Sequence, residues 1–167
     1  MPASRDALFQ RLESLGISTQ TKAHDAVFTV EQAQLVHDDM PGGHCKNLFC
    51  KDEKGVLWLI VCLEDARIDL KAAPAKIGSK RLTFGKPELL MEILGVEPGS
   101  VTPFGLINDT GNRTNVILDV AMMSLETLNF HPLKNNETTA IKSADLVKFI
   151  ESCGHDPRVV AVAEPVL

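Results

Sequence analysis

Apolar and polar positions follow two rhythms along this chain, and the changes of rhythm mark its elements. Leu8, Leu12 and Leu15 fall on one face of a helix that Ser4 can cap and Gly16 can end. A short polar strand is expected over 18–24. Thr29 then opens a second helix, with Gln32 completing a capping box and Val30, Ala33 and either Leu35 or Val36 facing inward. Met40-Pro41-Gly42-Gly43 stops it. The clearest strand signal follows, where 44–51 and 56–63 flank Asp52-Glu53-Lys54-Gly55 as a hairpin. Pro74 limits a third helix, over 69–77, to a short or kinked one. Pro87 suits the first turn of a helix that runs to Leu94 and closes at Gly95. Beyond a loop over 97–103, strands are predicted at 104–108, 115–120, 127–131 and 137–141. Ser143 caps a last helix through Cys153, Gly154 ends it, and 159–162 forms a final strand.

Helices and strands mix here without a regular βαβ alternation. That predicts an α+β fold, with a curved, mixed, mostly antiparallel sheet flanked by helices. The 167 residues fit a single domain over 1–167, large enough to bury about 70% of its unfolded surface. Neither an internal repeat nor a linker interrupts it. The longest apolar run, 56–63, is too short to cross a bilayer, and Met1-Pro2-Ala3-Ser4-Arg5-Asp6 lacks the apolar core of a signal peptide. A cytosolic protein with no membrane partner is therefore expected.

Cysteine usage agrees with a reducing compartment. Cys45, Cys50, Cys62 and Cys153 form no C-x-x-C pair. Cys45 and Cys50, five apart in a strand, should point to opposite faces. Four reduced thiols are expected, with no metal and no cofactor. His24, His37, His44, His131 and His155 are scattered without an H-x-x-x-H pair, and the chain has no G-x-S-x-G elbow, no Walker loop and no tyrosine.

A net charge of −5 argues against a nucleic-acid partner until its distribution is considered. Lys71, Lys76, Lys80, Arg81 and Lys86 crowd into 70–87, where no acid occurs. Such a stripe serves either as a solvated face or as a phosphate contact.

Three local features could carry chemistry. In Gly42-Gly43-His44-Cys45-Lys46-Asn47-Leu48-Phe49-Cys50-Lys51-Asp52, a lysine sits inside a largely apolar strand. Burying an unpaired ammonium is costly, so Lys46 either reaches water at the sheet rim or faces a phosphate or carbonyl oxygen. The loop Gly95-Val96-Glu97-Pro98-Gly99-Ser100-Val101-Thr102-Pro103 fixes an unusual backbone path. It is either a rigid connector or an anion cradle of main-chain N–H groups. Asn129-Phe130-His131-Pro132-Leu133-Lys134-Asn135-Asn136 holds a histidine before proline, lining a pocket or forming a surface turn.

Taken together, Thr29-Val30-Glu31, Lys46-Asn47-Leu48-Phe49 with Lys51-Asp52, the G-x-x-x-P string from Gly99 to Pro103 and His131-Pro132 resemble the prolyl-tRNA editing family. This is the YbaK and PrdX group of free-standing trans-editing proteins, related to the editing domain inserted in bacterial prolyl-tRNA synthetases. The Lys-Asn-Leu-Phe form and the extended C-terminal helix look closer to the alanine-clearing PrdX branch. Cys50 stands where the family commonly has leucine.

The resemblance implies the YbaK-type α+β fold and hydrolysis of a wrong amino acid, alanine first, from proline tRNA. It implies aminoacylated proline tRNA as partner and prolyl-tRNA synthetase as a transient one. By position, Lys46 would contact the terminal nucleotide or the ester, and the backbone of Gly99, Ser100, Val101, Thr102 and Pro103 would hold the aminoacyl carbonyl. Asn47, His131, Val30 and Phe28 would shape the substrate pocket. Lys51, Lys71, Lys76, Lys80, Arg81 and Lys86 would meet tRNA phosphates. A cysteine- or serine-clearing deacylase and a nonenzymatic nucleic-acid-binding protein are the alternatives.

Overall fold

Seven consecutive apolar residues form an interior strand of the sheet, and they are apolar because both of its faces are covered. Leu57, Leu59 and Val61 enter one buried cluster, while Trp58 and Ile60 enter another on the opposite face. The structure, a computed structural model, describes residues 2–24 and 40–164. Its elements are α1 (Arg5–Ser14), β1 (Gln20–Ala23), β2 (Gly43–Asp52), β3 (Leu57–Leu63), α2 (Ala73–Ile77), β4 (Leu82–Phe84) and α3 (Pro87–Leu94). A 3-10 helix (Pro103–Asn108), β5 (Thr114–Asp119), α4 (Val120–Met123), β6 (Thr127–Phe130), β7 (Glu137–Lys142), α5 (Ser143–Ser152) and β8 (Arg158–Val160) follow.

The strands form one open mixed sheet in the order β1-β7-β6-β2-β3-β5-β8, with β4 paired to β2 off this path. The β2/β3, β2/β4, β6/β7 and β1/β7 ladders are antiparallel, and β2/β6, β3/β5 and β5/β8 are parallel. The predicted α+β fold with a mixed, mostly antiparallel sheet and flanking helices is the one observed. The larger core lies on the face that takes α1, α3, the 3-10 helix and α5, through Leu8, Leu12, Leu90, Leu94, Phe104, Leu146 and Phe149. Ala73 and Ile77 of α2, with Leu82 of β4, cover the other face.

Several boundaries follow local chemistry. Ser4 caps α1 by accepting from Ala7 N–H at 3.1 Å, and Gly16 leaves the helix at φ +73°. Pro87 sits in the first turn of α3, and Gly95 closes it at φ +66°. Cys45 packs against the larger core and Cys50 belongs to the smaller one, as their odd spacing requires.

Other expectations need correction. Residues 104–108 form part of a 3-10 helix, not a strand. Pro103 has no N–H for a ladder, the Thr102 hydroxyl accepts from Phe104 N–H at 3.2 Å, and Gly105 N–H bonds back to the Thr102 carbonyl. Ser143 is the first helical residue of α5 rather than its cap, because β7 runs straight into the helix and Lys142 takes the cap position. β4 and α4 are additions that the hydrophobic pattern did not reveal. The helix expected from Thr29, together with Phe28, Val30 and His37, lies outside the described residues.

Asp52 fastens the hairpin. It is only 5% exposed, and its carboxylate accepts from Lys54 N–H at 2.9 Å, Val56 N–H at 3.0 Å, the Trp58 indole at 3.2 Å and Lys80 N–H at 3.3 Å. Burial pushes its pKa up, but these four donors outweigh burial and hold it below the usual aspartate value. Asp52→Ala should therefore lower the unfolding free energy by at least about 2 kcal/mol in urea denaturation at pH 7. The contribution is full above the unfolded-state pKa of about 3.9 and is lost as pH falls through the depressed folded value. The stability difference between wild type and mutant should accordingly shrink in acid.

Candidate active site

The middle of β2 is where the sheet divides. β6 pairs with Gly43 and His44 at one end, and β4 pairs with Cys50, Lys51 and Asp52 at the other. Gly85 N–H extends the second contact by bonding the Phe49 carbonyl at 2.8 Å. Between these contacts, no strand among the described residues covers that edge of β2. Because a strand alternates its hydrogen-bonding edge, the main-chain groups of Asn47 share the direction of the Phe49 carbonyl and open into this gap.

Lys46 and Asn47 are neighbours with opposite faces. Asn47 projects to the side of the larger core, where its Nδ2 donates to the Val101 carbonyl at 3.0 Å. Its Oδ1 is buried and has no hydrogen-bond partner among the described residues. Lys46 emerges on the other side with Leu48 and Cys50, directly across from Cys62 in β3. The gap is thus flanked by a cation on one face and an amide on the other.

The Asn47 contact docks the glycine-proline loop onto β2. Gly99 has φ +90°, a conformation that an L side chain adopts only with strain. Ser100 N–H is spent on the Glu97 carbonyl at 3.0 Å, and the Thr102 hydroxyl caps the 3-10 helix. The N–H groups of Gly99, Val101 and Thr102 have no partner among the described residues. Phe104 anchors the loop's exit, fully buried with its ring edge-on to Phe130 at 6.0 Å and Phe149 at 5.4 Å. This rigid, amide-rich loop suits an oxyanion better than a flexible connector would.

The third segment reaches the same place. The Asn135 amide nitrogen stands 3.9 Å from the position a Gly99 Cβ would occupy. His131 bonds the Glu137 carbonyl through Nδ1 at 2.8 Å, so Nδ1 carries the proton and Nε2 is left as the acceptor in the neutral ring. Burial lowers the His131 pKa, and the ring of His24, 6.2 Å away, adds to the effect against the opposing Glu137 bond. Arg5 grips the Glu137 carboxylate, with one contact at 2.9 Å, and so holds the residue that orients His131.

The remaining candidates are dispersed. Lys51, Lys71, Lys80, Arg81 and Lys86 are exposed, whereas Lys76 is half-buried and paired with Glu164 at 2.9 Å. Phe28 and Val30 lie outside the described residues. The Cys45, Cys50 and Cys62 thiols are pushed up by burial to about 12, 11 and 11, which leaves them protonated and poorly nucleophilic at neutral pH. Asp109 and His155 form a buried pair at 2.9 Å that ties the end of α5 to the turn before β5. Sequence spacing carried no sign of that pair, nor of the roles of Arg5 and Glu137.

The Gly99 environment yields a test of backbone strain. The space around it is open, so a side chain there is penalised by positive φ rather than by collision. Gly99→Val should cost about 1–2 kcal/mol in equilibrium unfolding. Gly99→Asn, which tolerates the left-handed region, should cost less. Equal losses in the two variants would rule out strain as the cause.

Residues 24–149 match the aminoacyl-tRNA editing domain family. The chain is 37% identical over 161 residues to prolyl-tRNA synthetase associated domain-containing protein 1 of Bos taurus, covering 93% of this chain and 94% of that protein. It is 31% identical over 153 residues to the prolyl-tRNA editing protein ProX of Acetoanaerobium sticklandii, covering 91% of this chain and 93% of that protein. A crystal structure of a candidate trans-editing enzyme for prolyl tRNA synthetase shares the fold, with a TM-score of 0.72 at 20% identity over 99% of this chain and 100% of that one. With a family match over most of its length and relatives above 30% identity across nearly all of it, the chain belongs to the aminoacyl-tRNA editing domain family.

Proposed function

We propose that this chain is a trans-editing deacylase that hydrolyses mischarged proline tRNA, with alanine as the amino acid removed. The observation that carries the reading is the loop from Gly99 to Pro103, docked on Asn47 and anchored by Phe104, with three main-chain N–H groups uncommitted. Family membership supplies the substrate class. Small size supplies the choice of alanine: a proline-shaped synthetase pocket rejects alanine weakly, because small apolar differences are worth only about 1–3 kcal/mol.

In this reading the loop's N–H groups receive the carbonyl oxygen as it gains charge. Water, oriented by the neighbouring ribose 2′-hydroxyl, adds to the carbonyl carbon. The ester C–O bond then breaks, the ribose oxygen takes a proton, and free amino acid leaves. The ester is already activated, so positioning and charge stabilisation suffice without a protein nucleophile. The Asn47 Oδ1, which has no partner among the described residues, and the His131 Nε2 are acceptors suited to the substrate's amino group. Lys46, on the opposite face of the gap, suits the terminal nucleotide's phosphate or ribose rather than the carbonyl.

The exposed Lys51, Lys71, Lys80, Arg81 and Lys86 are proposed to meet tRNA phosphates, with Lys76 contributing less because Glu164 holds it. The editing unit is proposed to span 1–167, since Leu8 and Leu12 of α1 and Val162 near the C-terminus are buried in its cores outside the matched segment. Prolyl-tRNA synthetase is the proposed transient partner and the cytosol the proposed place of work. Among the described residues, no helix is long and apolar enough to cross a membrane.

Deacylation of proline tRNA charged with alanine, cysteine, serine or proline tests the reading directly. Alanine should be released fastest and proline retained. Preferential release of cysteine or serine would move the specificity, and binding without release of any amino acid would leave a nonenzymatic RNA-binding protein. Lys46→Ala should cut turnover at least about tenfold in a folded protein. Ser100→Ala should keep most activity, and Gly99→Val should lose much of it, because one oxyanion donor is worth about 10²–10³ in rate. Loss of all turnover in Ser100→Ala, with a trapped acyl-enzyme in the wild type, would replace this mechanism with covalent catalysis.

A further inference from the structure

Phe84 is the most exposed large apolar side chain among the described residues, at 61%. It is not presented by a slack loop. β4 pairs it with Cys50, and Leu82, two residues earlier on the same face, is buried in the smaller core. Gly85 follows, with its N–H on the Phe49 carbonyl and its Cα so close to the Phe49 ring that a Cβ would stand 2.5 Å from it. The strand is pinned on both sides of a ring that faces water.

The segment that carries the ring is cationic. Lys80 and Arg81 precede the strand, Lys86 follows it, and Lys51 lies opposite Thr83 in the paired strand, on the other face of the sheet from the ring. All four are exposed, and the described residues hold no ion pair that engages them. The acids nearby in sequence are Asp52, which is buried and committed to its donors, Glu53, whose N–H bonds the Arg81 carbonyl, and Glu88 in the first turn of α3. A fixed, exposed aromatic ring on a segment with uncommitted cations before and after it has the chemistry of a single-stranded nucleic-acid contact: stacking for the base and charge for the phosphates.

Position makes the ligand more specific. Lys46, Leu48 and Cys50 alternate onto one face of β2, and Phe84 sits across from Cys50 on that face. Four residues of strand separate Lys46 from Cys50, about 13 Å. At a stacked spacing of about 3.4 Å per nucleotide, that distance is spanned by about four nucleotides.

We propose that Phe84 is a stacking platform for an unpaired base near the 3′ end of the tRNA, several nucleotides before the one that bears the amino acid. Lys80, Arg81 and Lys86 hold the flanking phosphates. The path runs along the Lys46 face to the gap in the sheet, where the ester crosses to the loop at Val101. This inference rests on the editing reading and adds a base-contacting residue to it.

Binding of uncharged proline tRNA separates the two. Phe84→Ala should weaken binding roughly five- to hundredfold, the range for loss of one base stack. Phe84→Trp should restore it, and Phe84→Leu should not, since leucine keeps apolar area but has no π-face. The salt slope should be unchanged in Phe84→Ala and flatter in a Lys80, Arg81 and Lys86 triple alanine variant. On tRNA stripped of its unpaired 3′ nucleotides, Phe84→Ala should have no further effect. Thermal unfolding should match the wild type, given the exposure of the side chain.

Unchanged affinity in Phe84→Ala, full affinity in Phe84→Leu, or an undiminished effect on stripped tRNA overturns the assignment. So does a Phe84-dependent association with anionic phosphatidylserine vesicles without any effect on tRNA. Failure of the editing reading looks different: Phe84-dependent tRNA binding with no deacylation sinks the reaction and leaves the platform standing.

Discussion

One strand has to satisfy two partial sheets. β2 is paired along its length to β3, yet its other edge is claimed by β6 at the start and β4 at the end, with a gap between them among the described residues. Among the described residues no strand pairs with β2 between the parallel β6 ladder and the antiparallel β4 ladder. What docks against β2 near the gap is a side-chain amide and a loop. The Asn47 side chain holds the loop through one bond to Val101, leaving its Oδ1 buried and unmatched among the described residues. An unmatched buried acceptor costs about 1–3 kcal/mol, so a protein that keeps one has a use for it or a partner that arrives later.

The same division explains what could be read from the sequence. The hairpin was legible because both strands and the Asp-Glu-Lys-Gly turn are contiguous. Ser4 and Gly16, and Pro87 and Gly95, mark helix ends by chemistry confined to one turn. The order of Lys46-Asn47, Gly99 to Pro103 and His131-Pro132 located the candidate site, and two of these segments meet through Asn47 and Val101. What stayed hidden is nonlocal. β4 has only three residues, and its register against β2 depends on Asp52 holding Lys80 and on Gly85 packing on Phe49. The apolar run after Pro103 has the composition of a strand, and Pro103 together with the Thr102 cap turns it into a 3-10 helix. Strand alternation does place Lys46 and Asn47 on opposite faces, but the pattern cannot tell which face the loop occupies.

Side chains available for chemistry have mostly been assigned structural work. The Thr102 hydroxyl caps a helix, Asp52 fastens a turn, Asp109 pairs with His155, and burial keeps three thiols protonated. Among the described residues, the uncommitted polar groups around the loop and Asn47 are instead main-chain N–H groups and one amide oxygen. Main-chain N–H groups and an amide oxygen do not titrate, so they offer fixed dipoles rather than proton transfer. Fixed dipoles are useful only if they do not relax when charge develops. That requirement falls on the core: Phe104, gripped between Phe130 and Phe149, sets the loop's exit, and Asn47 sets its middle. The large aromatic contacts under the 3-10 helix are thus as much a part of the site as the residues that would touch a substrate, because they determine whether its dipoles can stay aimed.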